Sequence, residues 1–483
     1  MSISPTTLSS ADPDGADNVA TQGVNAPGLQ VFVFALFFIF GGITSLNDVI
    51  IPKLKELFTL DYTQAMLVQF CFFTAYLVIG IPGAQLVKRV GYMRGAVAGL
   101  VTMLIGCLLF IPASRTAAYE LFLLALFVLA TGVVLVQVVA NPLITLLGKP
   151  ETASSRLTFA QAFNSLGTTI FPYVGAIVIL GSLSKVSASD LTGAALDAYR
   201  TAESGAIVRG YLGLAVALAV VAGAVWLFRN RLPHDSALMD GKPLVPASRY
   251  AIGLALVVVG AIVAAKFIAW LGLILILLAP AVWLYDNDLL QRKRFAFGAL
   301  CIFLYVGAEV SIGSLIVNYL KQPGVMGLDA ASAGKMIPFY WGGAMIGRFI
   351  GSAVLRVVSP GKVLAGVAVG AIVLIAISTH TTGNVSGYSL LAIGLMNSIM
   401  FPTIFSLACE KLGKRAADGS GIINVAIFGG AVLPLATGKL ADATGGNLAL
   451  ALIIPAVCYV IIACFGLYAR KPAPELEPEL AHD

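Results

Sequence analysis

Apolar residues recur along the chain in runs of about 20, separated by short polar stretches. Six runs fall near residues 31–51, 65–87, 95–112, 119–147, 158–181 and 207–228. Six more fall near residues 295–319, 334–356, 362–379, 386–409, 420–440 and 447–469. Because about 20 apolar residues in an α-helix span the hydrocarbon core of a bilayer, the pattern predicts an all-α membrane protein with two sets of six helices.

The polar segments outside these runs indicate where the parts of the chain begin and end. Residues 1–30 carry no Lys or Arg, residues 471–483 are rich in Pro and Glu, and both read as disordered tails. Between the tails we expect an N-terminal six-helix bundle over 31–230 and a C-terminal six-helix bundle over 295–470. Residues 231–294 would form a linker between them.

The basic residues between the runs favour one orientation. With the N-terminus inside, about two thirds of the 30 Lys and Arg residues fall on the inner side, Arg348 among them. Basic residues concentrate in cytoplasmic loops, so both termini and the linker are predicted to be cytoplasmic.

The linker contains a further apolar stretch over residues 250–285. Its flanks are basic, with Arg229 and Arg231 before it and "QRKR" at 291–294 after it. Both flanks should be cytoplasmic, so the stretch crosses the membrane an even number of times. Two short crossings with a turn near Lys266 would make a helical hairpin, and a surface or re-entrant helix pair is the alternative.

Two short segments recur in the same order in both halves. "GAQLVKRVGYMRG" after the second run resembles "GSAVLRVVSPGKV" after the eighth, and "GTTIFP" in the fifth resembles "GGAVLP" in the eleventh. Such parallel repeats build membrane proteins from two bundles related by a pseudo-two-fold axis. We therefore expect two related six-helix bundles.

Only two carboxylates fall well inside the predicted helices, Asp48 in the first and Glu309 in the seventh. A charge at the bilayer centre costs about 2.5–3.5 kcal/mol even on the lenient insertion scale, so such residues usually face a bundle interior or a watery cavity. These helices correspond in the two halves, and the two acids are expected to face each other. Either could exchange a proton or bind Na+. The alternatives are a helix-end Asp48 near Pro52 and a Glu309 that only hydrogen-bonds a neighbouring helix.

Amide side chains cluster in the same apolar runs and offer both donors and acceptors, which suits sugar hydroxyls. Gln161 and Asn164 lie three residues apart on one helix face. Tyr340 is one of several aromatic residues that could stack on a sugar ring. The alternative for each amide is a hydrogen bond between helices. The candidate binding residues are Asn47, Gln137, Asn141, Gln161, Asn164, Glu309, Asn318, Tyr340, Asn397 and Asn424.

Composition excludes several classes of protein. The chain is 59% hydrophobic and 11% charged with a mean hydropathy of +0.93, which no soluble domain could bury. The net charge of +6 is spread between the runs, so a nucleic-acid partner is not expected. The six cysteines lie in apolar runs and the histidines do not cluster, so we expect no disulfide framework, metal site or cofactor. The sequence has no Ser–His–Asp set and no phosphate-binding loop, so no motif indicates an enzyme.

Five motifs resemble the fucose–galactose–glucose symporter family of the major facilitator superfamily: "SLNDVIIP", "VQVVANPLITLLG", "SRLTFAQAFNSLGTTIFP", "YVGAEVSIGSLIVNYL" and "FPTIFSLACEKLG". The resemblance runs through most of both halves but not through the tails or residues 250–285. It implies a twelve-helix, two-bundle fold that works by alternating access, and cation-coupled uptake of a sugar in the bacterial inner membrane. It places the family's helix-1 acid on Asp48 and its helix-5 sugar-binding amides on Gln161 and Asn164.

Two positions depart from the fucose symporters. Fucose symporters carry a glutamate in helix 4 where this chain has Gln137, and they have no charged residue at the position of Glu309. Both features resemble the glucose/galactose transporter branch, some members of which are thought to use Na+. The sequence therefore predicts H+- or Na+-coupled transport of a neutral hexose, glucose or galactose first, by a monomer in contact with lipid. N-acetylglucosamine or fucose transport and a non-transporting sugar sensor are the alternatives.

Overall fold

The computed structural model describes residues 27–57, 62–116, 118–175, 192–227, 229–230, 243–266, 269–285 and 287–471. Over these ranges the secondary structure is helical, with no β-strand. Most of the two predicted tails, residues 1–26 and 472–483, lies outside the described residues.

Six helices form the N-terminal bundle: α1 (Pro27–Leu57), α2 (Tyr62–Val90), α3 (Tyr92–Thr116), α4 (Tyr119–Leu146), α5 (Ala153–Gly175) and α6 (Ala194–Leu227). The insertion forms α7 (Ala247–Lys266) and α8 (Ala269–Leu284), and the short α9 (Asp288–Gln291) follows. The C-terminal bundle comprises α10 (Lys293–Lys321), α11 (Ala330–Gly334), α12 (Ile337–Val354), α13 (Pro360–His380), α14 (Gly383–Asn397), α15 (Met400–Ala408), α16 (Ala416–Ala426), α17 (Gly429–Ala443), α18 (Leu448–Ala451) and α19 (Ile453–Tyr468).

Several helix ends differ from the sequence prediction. α1 begins at Pro27 rather than at 31, α5 at Ala153 rather than at 158, and α6 at Ala194 rather than at 207. In each case the extra turns are more polar than the apolar run that follows, so hydropathy placed the start too late.

Ten helical stretches of the described residues are long and apolar enough to cross a membrane. The described parts of α5 and α12 are not among them, because polar side chains interrupt their apolar residues. These two helices pack against each other across the boundary between the bundles. The polar residues are therefore placed between the bundles rather than against lipid.

The two bundles pack their helices in the same pattern. In the N-terminal bundle α1 packs on α5, α3 on α4 and α6, and α2 on α4. In the C-terminal bundle α10 packs on α17, α13 on α14 and α19, and α12 on α14. Each of these pairs is the counterpart of a pair in the other half, as the repeated segments predicted.

Small residues allow close helix crossings. A Cβ on Gly99 of α3 would lie 3.0 Å from the carbonyl oxygen of Gly132 in α4. Between the bundles, a Cβ on Gly80 of α2 would lie 2.7 Å from the carbonyl oxygen of Gly421 in α16. Without a hydrophobic effect between lipid-embedded helices, such close backbone packing is a main source of association.

The tenth main helix is broken where the sequence predicted one continuous helix over 386–409. α14 ends at Asn397 and α15 begins at Met400. Pro402 has no backbone N–H, so the carbonyl of Ser398 loses its helical donor. Side chains from other helices take over: Arg348 Nε donates to the Ser398 oxygen at 3.1 Å, and the Tyr305 hydroxyl donates to the Asn397 oxygen at 3.0 Å.

The inserted helices α7 and α8 pack on each other, and α7 contacts α2 through Tyr250. The rings of Tyr250 and Trp283 stack with centroids 5.3 Å apart, and the Trp283 indole N–H donates to the Tyr250 carbonyl at 3.0 Å. The Tyr250 hydroxyl donates to the Val78 carbonyl of α2 at 2.6 Å. Residues 267–268, next to the predicted turn at Lys266, lie outside the described residues, and both the turn and the crossing of the membrane stay predictions.

Candidate substrate and coupling site

The two bundles meet at one end of the molecule, which we call the basic end. Lys88 lies there in the last turn of α2, and Arg415 directly precedes α16. Lys88 Nζ lies 2.9 Å from Asp418 Oδ2, and the two side chains are 4% and 0% exposed. Arg415 Nε donates to the same carboxylate at 2.6 Å. A buried, doubly paired carboxylate therefore ties α2 to α16.

A second set of contacts at this end joins α5 to the C-terminal bundle. Ser155 Oγ donates to the Ser352 carbonyl at 2.6 Å, and Ser154 Oγ lies 2.6 Å from Ser406 Oγ. The rings of Phe159 and Phe349 meet edge to face. We call the interface between the two bundles the seam. At the basic end it is closed by the ion pair of Lys88 with Asp418 on one side and by the serine hydroxyl contacts of α5 on the other.

Further from the basic end, the N-terminal bundle buries the predicted amides of α4. Gln137 Nε2 donates to the Tyr76 hydroxyl of α2 at 2.8 Å, and Tyr76 also interacts with Thr44 of α1. Asn141 is fully buried, yet neither its Nδ2 nor its Oδ1 finds a hydrogen-bond partner among the described residues. Buried polar atoms in this state are uncommon and need an explanation.

The two predicted amides of α5 have different surroundings. Gln161 is 6% exposed, and its backbone carbonyl accepts from Arg348 Nη1 at 3.2 Å. Asn164 Nδ2 donates to the Phe37 carbonyl of α1 at 3.3 Å. A Cβ at Gly41 would collide with the Asn164 side chain, so Gly41 provides the space for this amide.

The C-terminal bundle gathers Glu309, Tyr340 and Asn397 around one network. Asn397 is fully buried; its Nδ2 donates to the Tyr340 hydroxyl and its Oδ1 accepts from the Tyr459 hydroxyl, both at 2.8 Å. The Tyr340 hydroxyl lies 3.3 Å from the backbone carbonyl oxygen of Glu309. The partly buried Glu309 side chain interacts with the Tyr305 hydroxyl and with the charge of Arg348.

Arg348 is a residue that sequence reasoning misplaced. It was counted with the inner loops, but it lies within α12, partly buried, and its guanidinium reaches both Ser398 and Ser165. The signal that could have found it is its setting in "GGAMIGRFIGSAV", where apolar and small residues lie on both sides. An arginine in such a run is a functional candidate by the same argument as an intramembrane acid.

The structure does not bring all predicted residues to one place. Asn318 is exposed near the C-terminal end of α10. Asn424 is fully buried in α16; its Nδ2 donates to the Ser420 carbonyl at 2.8 Å and its Oδ1 has no partner among the described residues. Asn47 and Asp48 lie in α1, but their side chains are outside the described part of the structure. The predicted contact of Asp48 with Glu309 therefore stays a prediction.

Among the described residues, no three His, Cys, Asp or Glu side chains are grouped closely enough to hold a metal ion. The polar groups that the fold does gather are amides, tyrosine hydroxyls, one carboxylate and one guanidinium. These groups can hold a polyhydroxylated, uncharged ligand, with one carboxylate available to a proton or a cation.

Comparisons with known proteins agree with this architecture. The model of the Major Facilitator Superfamily matches residues 33–434. A glucose/galactose transporter of Brucella abortus biovar 1 (strain 9-941) is 47% identical over 436 residues, 90% of this chain and 92% of the relative. An L-fucose-proton symporter of Escherichia coli (strain K12) is 30% identical over 446 residues, 91% of this chain and 92% of the relative.

The fold has a counterpart among solved structures. The crystal structure of the transporter FucP in the outward conformation superimposes with a TM-score of 0.76 at 28% sequence identity, covering 92% of this chain and 99% of that chain. The two matching bundles, the repeated helix packing and these relatives agree with the motifs of the sequence. The chain belongs to the major facilitator superfamily and, within it, to the fucose–galactose–glucose symporter family.

Proposed function

We propose that the chain is a secondary active transporter that takes up a neutral hexose, glucose or galactose first, by alternating access coupled to a cation. The observation that carries this proposal is end-to-end similarity to a protein named a glucose/galactose transporter. The buried amides and tyrosines between the bundles support it, because their donors and acceptors suit sugar hydroxyls.

The sugar would bind between the bundles. Gln137, Asn141, Gln161 and Asn164 would contact it from the N-terminal side, and Glu309 from the C-terminal side. Tyr340 and Asn397 would act in or directly behind the site, since they hydrogen-bond each other next to Glu309. The remaining proposed binding residues are Asn47, Asn318 and Asn424.

Asp48 and Glu309 would couple transport to the cation. A relative is named a proton symporter, which supports H+. Na+ near Asp48 is the other candidate, because this chain has Gln137 where fucose symporters carry a second acid. N-acetylglucosamine or fucose transport and a non-transporting sugar sensor are the alternative functions. No catalytic chemistry or cofactor is proposed.

The basic end would face the cytoplasm of a bacterial inner membrane, by the positive-inside rule. The described contacts close that end, so the conformation would be the outward-facing one. The chain would work as a monomer with cytoplasmic termini, in direct contact with lipid.

Uptake of labelled sugars into proteoliposomes tests the proposal. A proton gradient and a Na+ gradient are imposed separately with glucose, galactose, N-acetylglucosamine and fucose. Accumulation of one hexose under one gradient is expected. Sugar binding without counterflow exchange would instead identify a sensor, and no binding of any sugar would remove the proposal.

A further inference from the structure

Arg348 connects three helices with one guanidinium. It extends from α12, donates from Nε to the Ser398 carbonyl at 3.1 Å, and donates from Nη1 to the Gln161 carbonyl of α5 at 3.2 Å. Nη1 also contacts Ser165 Oγ, which lies one helical turn further along α5. Arg348 is therefore a direct polar link from the C-terminal bundle to the helix that carries two proposed sugar-binding amides.

A structural role accounts for only part of this arrangement. The Ser398 carbonyl needs a donor because Pro402 cannot supply one, and a single N–H satisfies it. The contacts with Gln161 and Ser165 use the other side of the guanidinium and lie across the seam. They form only while the two bundles are closed at this level, so they belong to one state of an alternating-access cycle.

Arg348 and Glu309 interact electrostatically, and Tyr340 of α12, the helix that carries Arg348, contacts the Glu309 carbonyl oxygen at 3.3 Å. The titratable groups that interact with Glu309 are the hydroxyls of Tyr305, Tyr340 and Tyr459, which are neutral at ordinary pH. The charged group among these neighbours is Arg348. Ionised Glu309 thus compensates the charge of Arg348, whereas neutral Glu309 leaves a partly buried guanidinium without a counter-ion among the side chains that the structure describes, which do not include that of Asp48.

We infer that Arg348 is a positioning residue that converts the charge state of Glu309 into closure or opening of the seam at the basic end. With Glu309 ionised, the guanidinium is compensated and stays on α5, and the bundles remain closed. When Glu309 is neutral, the uncompensated charge is costly in a low-dielectric seam, and opening towards water relieves that cost. This inference rests on the proposed function only in treating the two bundles as the moving parts of a transporter.

Distances across the basic end test the inference without any sugar. Spin labels are placed at E151C and V357C, two exposed positions in turns at that end, in a chain whose six native cysteines are replaced by alanine. E309Q mimics the neutral acid and is expected to raise the open-to-closed ratio roughly fivefold or more. In an R348Q background the same E309Q substitution should have little effect, because the charge that drives opening is gone.

The controls separate charge from shape. E309D keeps the carboxylate and should leave the distances near those of the wild type. S406A removes the Ser154 contact across the seam but not Arg348, so E309Q should still open the chain in that background. R348K retains the charge and should preserve the response to E309Q.

Two outcomes would overturn the inference. One is an equal E309Q response with and without Arg348, and the other is an E309D shift as large as that of E309Q. The second measurement needs no Arg348 variant and decides the matter even where R348Q does not fold. Since no sugar is present, a negative sugar-uptake panel would remove the proposed function and leave this test intact.

Discussion

The hydroxyl of Tyr250, on the first helix of the insertion, donates a 2.6 Å hydrogen bond to the backbone carbonyl of Val78 in α2. Val78 lies four residues before Pro82, which has no N–H to give to that carbonyl. The insertion therefore satisfies a backbone acceptor that the proline of α2 leaves open. Gln85 Nε2 of α2 donates in turn to the Val245 carbonyl at 3.1 Å, so the insertion is attached to α2 on both sides of Pro82.

The first prediction concerns this attachment. Tyr250→Phe removes the donor and leaves the partly buried Val78 carbonyl without it. We expect a loss of about 1 kcal/mol in the free energy of unfolding, seen as a lower melting temperature in detergent. Tyr285→Phe removes the same hydroxyl from a side chain that is 72% exposed and should have little effect. Equal stability of the two variants would mean that water or lipid satisfies Val78.

The second prediction concerns the buried ion pair of the basic end. Asp418→Asn leaves Lys88 with a neutral partner, although the two side chains are almost completely buried. Breaking such a pair on one side costs about 3–5 kcal/mol. Because Lys88 and Asp418 join α2 to α16, we expect the basic end to open, measured as faster labelling of single cysteines placed in the seam.

A matched control and a rescue make this result specific. Lys149→Met removes an exposed lysine in the turn before α5, and labelling should stay at the wild-type rate. As the rescue, Asp418→Glu keeps a carboxylate for both Lys88 and Arg415 and should retain part of the protection. A seam that remains protected in Asp418→Asn would show that the glycine contact of α2 with α16 closes it without the ion pair.

The third prediction is a pH dependence at Asp288, which begins α9 outside the apolar helices. Burial disfavours its charged form, but the hydrogen bonds and the charge of Arg415 outweigh this and lower the pKa of Asp288. The stabilisation is therefore fully present above the unfolded value of about 4 and is lost as pH falls through the lowered pKa. The side chain is 54% exposed, so its size should be only about 0.2–1 kcal/mol and should shrink with salt.

Melting temperatures of the wild type and of Asp288→Asn check this. The difference should be constant from pH 7 to pH 5 and should disappear at more acidic pH. Asp442→Asn, at an exposed position of α17, should show no such pH-dependent difference. A gap that grows on acidification would have the wrong sign and would contradict the pairing with Arg415.

The fourth prediction tests the coupling role of Asp48. Asp48→Asn should abolish accumulation of sugar against its gradient, because the residue can no longer carry a proton or an ionic ligand. Exchange of labelled for unlabelled sugar should continue in part. Normal accumulation would assign the coupling to Glu309 or to another group.

The amino-acid pattern predicted the bundles well, because membrane helices must satisfy every backbone group internally and so leave a strong hydropathy signal. The repeats in α5 and α17 indicated two related bundles, and the structure shows the equivalent packing of these helices on α1 and α10. Hydropathy failed where contacts between residues far apart in the sequence determine the structure. It could not show that Pro402 breaks the tenth helix, since the donors that stabilise the break come from Arg348 and Tyr305.

The types of polar residue in the candidate site could be predicted from the sequence better than their hydrogen-bond partners. Gln137 and Asn397 were identified as intramembrane amides, but their tyrosine partners Tyr76 and Tyr459 lie 61 and 62 residues away in the sequence. Arg348 was counted with the basic residues of the inner side, although the predicted helix over 334–356 contains it. The three-dimensional contacts with Ser398, Gln161 and Ser165 show why a guanidinium is tolerated within α12.

The last prediction distinguishes a ligand-binding amide from a structural one. Asn141 has two buried, unpartnered polar atoms among the described residues, whereas the side-chain amide of Asn397 pairs with the hydroxyls of Tyr340 and Tyr459. Asn141→Leu keeps the approximate size and removes only unpaired groups, so the free energy of unfolding should stay the same or rise. If Asn141 binds sugar hydroxyls, the same substitution should weaken equilibrium sugar binding by about tenfold or more, since one or two hydrogen bonds are lost. Asn397→Leu should instead lower the melting temperature, because it leaves Tyr340 and Tyr459 without their partner. Unchanged sugar affinity in Asn141→Leu would place Asn141 outside the site. Its polar atoms would then find their hydrogen-bond partners only when the interface between the bundles opens.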